Sequence, residues 1–133
     1  MLYAERNAMT SLGKGANYAI VREDGIVRAR VWMRPDLTSA EGAQCAEEIA
    51  AHLTRESASV ASKSLILDVS ATAPIFGPRT EAALSGLIKL WISSHKPVEV
   101  VIGTSSMQGM QWRRVVEMIG GNVAVRSVPD PSM

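Results

Sequence analysis

Between residues 18 and 128, short runs of alternating or unbroken apolar residues take turns with longer stretches whose apolar positions recur at helical spacing. Tyr18 to Val21 is a short β-like run. The Asp24-Gly25 pair follows, between that run and the next. It predicts a two-residue hairpin, because a type I′ turn needs positive φ at both central positions and these residue types tolerate it. Beyond the turn, Ile26, Arg28 and Arg30 alternate with Val27, Ala29 and Val31, which predicts a strand with one wet and one dry face. Arg28 and Arg30 are then solvated, with an anion site as the minor alternative.

After Pro35 the pattern changes period. Thr38 followed three residues later by Glu41 has the form of a capping box, in which a hydroxyl and a carboxylate satisfy free backbone N–H groups at a helix start. The helix runs to about Thr54, with Ala43, Ala46, Ile49, Ala50 and Leu53 at helical spacing. Glu56 to Lys63 is a polar connection. SLILDV, residues 64 to 69, is a continuous apolar run and predicts a central strand covered on both faces. Leu84, Leu87, Ile88 and Trp91 mark the buried face of a second helix, which His95-Lys96-Pro97 stops. VEVVIG, residues 98 to 103, is a further buried strand, and a third helix spans about Ser106 to Ile119 with Trp112, Val115, Val116 and Ile119 as its stripe. Gly120-Gly121 ends it as a left-handed cap, and residues 122 to 128 form the last strand.

A hairpin followed by helix and strand in alternation calls for right-handed crossovers and parallel pairing. The expected fold is therefore α/β, a mixed and largely parallel β-sheet with about three to four helices packed on it. Residues 18–128 form one domain, 1–17 an N-terminal arm or edge strand, and 129–133 a C-terminal tail. With 133 residues there is room for one ordinary core.

Composition narrows the function classes only a little. Hydrophobic residues at 47% exclude a disordered chain, and a net charge of +1 gives no electrostatic ground for a nucleic-acid partner. The single cysteine, Cys45, lies in an alanine-rich helical pattern, where a small buried side chain is the expected use and a reactive thiol the alternative. No segment has the roughly 18 consecutive apolar residues of a membrane span, and the start lacks a charged stretch leading into an apolar one. The expectation is a cytoplasmic protein without membrane insertion.

No catalytic constellation emerges. LGKGAN, residues 12 to 17, has neither the spacing nor the strand-to-helix context of a phosphate loop. His52 and His95 stand near helix ends, where interaction with free carbonyls is the expected role, and with one cysteine they offer no metal-ligand spacing. Asp68, at the C-terminal end of a predicted strand, is the best single catalytic candidate, since open α/β sheets place ligand sites there. Capping of nearby backbone N–H groups is the plainer reading. The chain is thus expected to be non-enzymatic, without metal or cofactor. Met107, Met110 and Met118 fall near one another on the third helix and Met33 ends a strand. They are either an adaptable binding surface or core filling.

Three stretches in this order, RVWMRPDLTSAEGAQCAEEI, LILDVSATAPIFGPRTEAAL and VVIGTSSMQGMQWRRVVEMIGG, resemble the STAS domain. That is the fold of bacterial anti-sigma-factor antagonists and of the cytoplasmic tails of sulfate transporters. The resemblance spans about residues 18 to 128. It implies a signalling module that binds a regulatory protein, such as a histidine-kinase-like anti-sigma factor or a sensor complex. The partner surface would comprise Asp36, Pro74, Ile75, Phe76, Gly77, Thr80, Met107 and Met110. Antagonists carry a phosphorylatable serine in the turn after the central strand. Here that stretch is Ala73-Pro74-Ile75-Phe76-Gly77-Pro78, with no hydroxyl, and Thr80 on the following helical turn is the displaced phosphorylation candidate.

Pro78 suits the first helical position and Gly77 a tight entry, so the junction is expected to be rigid. Pro74, Ile75 and Phe76 then either pack down on the sheet or stand out as an apolar recognition loop. Two further readings stay open: a small-ligand sensor with its site at the strand C-termini around Asp68 and Gly103, and a homodimer formed through the Met-rich edge or Trp32.

Overall fold

A computed structural model describes residues 9–73 and 76–128. The chain is an α/β domain built on one six-stranded sheet, with strands in sequence order across it. The strands are β1 (Thr10–Gly15), β2 (Tyr18–Glu23), β3 (Ile26–Trp32), β4 (Ser64–Ala71), β5 (Val98–Ile102) and β6 (Val123–Ser127). The helices are α1 (Ser39–Ser57), α2 (Pro78–Ser93) and α3 (Ser106–Ile119), each joining two of the last four strands. β1 to β3 are antiparallel neighbours; β3 to β6 are parallel. The N-terminal stretch thus supplies an edge strand from Thr10.

The hairpin forms as its sequence dictates. Glu23 pairs with Ile26, and the two residues between them, Asp24 at φ 53° and Gly25 at φ 81°, both take positive φ. Helix α1 opens with the complete capping box: the Glu41 amide donates to Thr38 Oγ1 (3.1 Å), and the Thr38 amide donates to Glu41 Oε1 (2.9 Å). Pro78 is the first residue of α2 and Gly77 its N-cap. Gly120 and Gly121, at φ 71° and 79°, close α3.

All three helices lie on one face of the sheet. Parallel strands laid down in sequence order with right-handed crossovers put every helix on the same side. The burial alternation follows: Leu65, Leu67 and Val69 of β4 and Val98, Val100 and Ile102 of β5 pack with Ile49 and Leu53 of α1, Leu87, Ile88 and Trp91 of α2, and Trp112 and Val115 of α3. Burying each such large side chain contributes about 1.5–3 kcal/mol. Trp91 is fully buried and its indole N–H donates to the Leu53 carbonyl (3.0 Å), tying α2 to α1.

The expectation of a central strand covered on both faces is corrected here. Ile66, Asp68 and Ser70 point to the opposite face and are only half-buried, and none of the described helices packs there. An unbroken apolar run does not distinguish a doubly covered strand from one flanked on its open face by long neighbours; on that face Glu99 pairs with Arg126 (3.1 Å). Among the described residues no helix is long and apolar enough to cross a membrane.

Candidate functional site

Three loops leave the same end of the parallel strands: 33–38 after β3, 72–77 after β4 and 103–105 after β5. Because β3, β4 and β5 are adjacent and parallel, every described member of the sequence-derived partner set falls at or beside this end. Pro74 and Ile75 lie outside the described residues.

The loop after β5 is closed from within. Gln108, 2% exposed, accepts the Gly103 amide at 2.6 Å and donates through Nε2 to the Val69 carbonyl (2.9 Å) and to Thr72 Oγ1 (3.1 Å). One side chain thereby joins the ends of β4 and β5 to the first turn of α3. Ser105 caps that helix, accepting the Gln108 amide (3.3 Å). A Cβ at Gly103 would stand 2.8 Å from the Ser70 carbonyl, so the glycine is required by close backbone approach. Asp68 spends its carboxylate locally, accepting from the Ser70 amide (3.0 Å) and hydroxyl (2.6 Å). Polar groups around Asp68 and Gly103, the place of the alternative small-ligand reading, are thus engaged with neighbouring protein groups.

The loops after β3 and β4 are different. Between them, under the N-termini of α1 and α2, lies a cavity of about 590 Å³. Its floor is apolar, formed by Val31, Val69, Ala46, Ile49, Leu84 and Trp112. Its rim carries Met33, Arg34, Thr38, Gly77, Arg79 and Thr80. Arg34 and Arg79 are anchored outside it. Arg34 pairs with both carboxylate oxygens of Asp36 and donates to the Ala16 carbonyl (3.0 Å); Arg79 pairs with Glu47 of α1 (2.7 Å). The guanidinium beside it holds the Asp36 carboxyl below its usual range, and Arg79 does the same for Glu47.

Phe76 packs down rather than standing out. Its ring lies 5.2 Å from that of Trp112 at 54°, and Gln111 grips its backbone at both polar groups, accepting from Phe76 N–H (3.2 Å) and donating to its carbonyl (3.1 Å). Gly77 and Thr80 remain at the rim, with no side-chain cap on the N-terminus of α2. Met107 (54% exposed), Met110 (72%) and Met118 stand on the outer face of α3, so these methionines are surface and not core. Met107 lies on the first turn of α3, at the same end as the cavity rim.

Two buried polar atoms find no partner among the described residues: Asn17 Oδ1 and Trp112 Nε1. Both residues belong to the wall of this cavity. Sequence reasoning placed Trp112 in an apolar stripe and gave Asn17 and Gln108 no role. A glutamine or asparagine carries no periodic signal, and the partners of Gln108 lie up to 39 residues away.

The remaining candidates resolve structurally. Gly13 and Gly15 of LGKGAN sit in the β1–β2 hairpin, where a Cβ would meet the His52 ring at 2.7 Å and run into the Tyr18 ring. His52 Nδ1 lies 2.8 Å from Arg55, and His95 takes the left-handed position after α2 (φ 60°), its amide donating to the Ile92 carbonyl. Cys45 is buried, and burial pushes its thiol up. Among the described residues no three His, Cys, Asp or Glu side chains cluster to hold a metal ion. No protein-family model, curated protein or solved structure matches the chain.

Proposed function

We propose that the chain is a non-enzymatic, STAS-like regulatory module that binds a signalling protein, such as a histidine-kinase-like ATPase, through the end of the sheet where β3, β4 and β5 finish. What carries the reading is convergence. Asp36, Gly77, Thr80, Met107 and Met110 come from three separate loops and helix starts, yet the parallel order of the strands brings them to one end. Exposed Met107 and Met110, with Met33 at the cavity rim near the ion-paired Arg34 and Arg79, suit an adaptable protein contact, because the thioether side chain repacks at little cost.

Thr80 is the phosphorylation candidate within this surface. It stands in the first turn of α2, where a phosphate would meet free backbone N–H groups and the positive end of the helix dipole. Phe76 contributes by holding the loop to α3 rather than by touching the partner.

The test is affinity capture with wild type, a Met107→Asp/Met110→Asp variant and a Thr80→Glu variant, each first shown to unfold at the wild-type temperature. These side chains are exposed or at the rim, so stability should change by less than about 0.5 kcal/mol. The expected result is a regulatory ATPase retained by wild type and lost from both variants. Equal retention by all three would move the interface off this end of the sheet.

A further inference from the structure

The two edges of the sheet are finished differently. β1, at one edge, carries a bulge between Ser11 and Gly13 and has Lys14 on the strand, devices that discourage pairing with another chain. β6, at the other edge, keeps unbroken parallel register with β5 from Val123 to Ser127 and holds neither lysine nor proline. Among the described residues no strand pairs with its outer side.

The phase of the β5–β6 ladder fixes which groups point outward. The Val98 amide donates to the Asn122 carbonyl (3.3 Å) and the Val128 amide to the Ile102 carbonyl (2.9 Å), so the even-numbered residues of this stretch bond β5. The backbone N–H and C=O groups of Val123, Val125 and Ser127 are therefore directed away from the sheet. On the helix-covered face, Val123 and Val125 are only partly buried where the core reaches this edge. On the opposite face, Glu99 stands beside Ala124 in register and pairs with Arg126 (3.1 Å).

We propose that β6 pairs antiparallel with β6 of a second copy of this chain, about a two-fold axis at Val125, joining two six-stranded sheets into one. This register uses the whole strand. Val125 meets its own counterpart and Val123 meets Ser127 of the second copy, each as a hydrogen-bonded pair, and the partly buried valines cover one another. The same register sets Arg126 of one copy beside Ala124 of the other. Glu99, Ala124 and that arginine then form one row across the sheet face, with the acid and the arginine two strand spacings apart, about 10 Å and within reach of their side chains. Each Glu99 is thereby shared between two arginines, a charge match that the two-fold axis repeats. The net charge of +1 adds little repulsion between copies. This edge is separate from the strand ends proposed above for a signalling protein, so the dimer does not depend on that reading.

The experiment is sedimentation equilibrium of the full chain over rising concentration. A mass approaching that of two chains by about 1 mM is expected, since a pair of strands is a small interface. Val125→Pro removes an N–H that points away from β5, leaving the ladder within the chain whole, and should abolish association while the far-ultraviolet circular dichroism stays that of wild type. Arg126→Glu should weaken association at least about fivefold, because the symmetry counts each lost pair twice. Adding Glu99→Arg to Arg126→Glu exchanges the charges and should return most of the affinity. Should Val125→Pro disturb the fold, the charge exchange decides. The mass of a single chain throughout, association unchanged by Val125→Pro in a folded chain, or association unchanged by Arg126→Glu would each overturn the proposal.

Discussion

The junctions β4–α2 and β5–α3 occupy equivalent places in the fold, each a parallel strand turning into the next helix, and they are finished in opposite ways. At β5–α3, Gln108 bonds the Gly103 amide and the Val69 carbonyl, and Ser105 caps the helix through the Gln108 amide. At β4–α2, a glycine stands where a capping side chain would, a proline removes one amide, and a cavity opens beneath. Open α/β sheets offer ligand sites at strand C-termini in general, but which crevice is usable depends on what side chains fill the others. Here Gln108 ties the polar groups around Gly103 together, and the cavity lies on the β3–β4 side.

The contrast can be broken most severely at its closed half. Gln108→Leu removes three hydrogen bonds and leaves the part-buried Gly103 amide and the Val69 carbonyl without this partner, which should lower stability by about 3 kcal/mol in urea denaturation. A loss under about 1 kcal/mol would mean that the staple does not close that junction. Next in size is a pH effect beside the open half. Tyr18 follows Asn17, donates to Glu48 Oε1 (2.8 Å), and has its pKa pushed up from 10.0 to about 12, first by burial and then by Glu48. A group whose folded pKa is raised contributes stability that is present below pH 10 and lost as pH rises toward 12. Denaturation across that window should show a loss of roughly 2 kcal/mol in wild type that Tyr18→Phe does not share.

Two smaller changes compare the helix N-termini that meet at the cavity. Thr38→Ala deletes the cap of α1 and should cost about 1 kcal/mol. Gly77→Asp supplies α2 with the cap it lacks, at a position with φ −82° and no atom within 4 Å of an added Cβ, and should gain a few tenths of a kcal/mol. Opposite signs in matched thermal melts would confirm that one helix start has a side-chain cap and the other lacks one.

Much of the scaffold was legible because it rests on local chemistry. Asp24-Gly25 takes positive φ at both positions, Thr38 and Glu41 form their box, and Leu84, Leu87, Ile88 and Trp91 are all buried. What escaped the sequence depends on distant groups. That none of the described helices covers the Ile66 face follows from strand order, which the apolar run cannot report. The closure of the Gly103 crevice depends on Gln108, a residue type whose helical position predicts solvent. The inward turn of Phe76 is decided by Trp112 and Gln111, 36 and 35 residues onward, so the loop sequence alone left both orientations open.

The most direct test of the contrast between the two junctions is amide hydrogen exchange of the wild-type chain. The Gly103 amide donates to Gln108, whereas the amides of Arg79 and Thr80 receive no side-chain cap. Slow exchange at Gly103 and fast exchange at Arg79 and Thr80 is the expected result. Equal protection at the two junctions would contradict it.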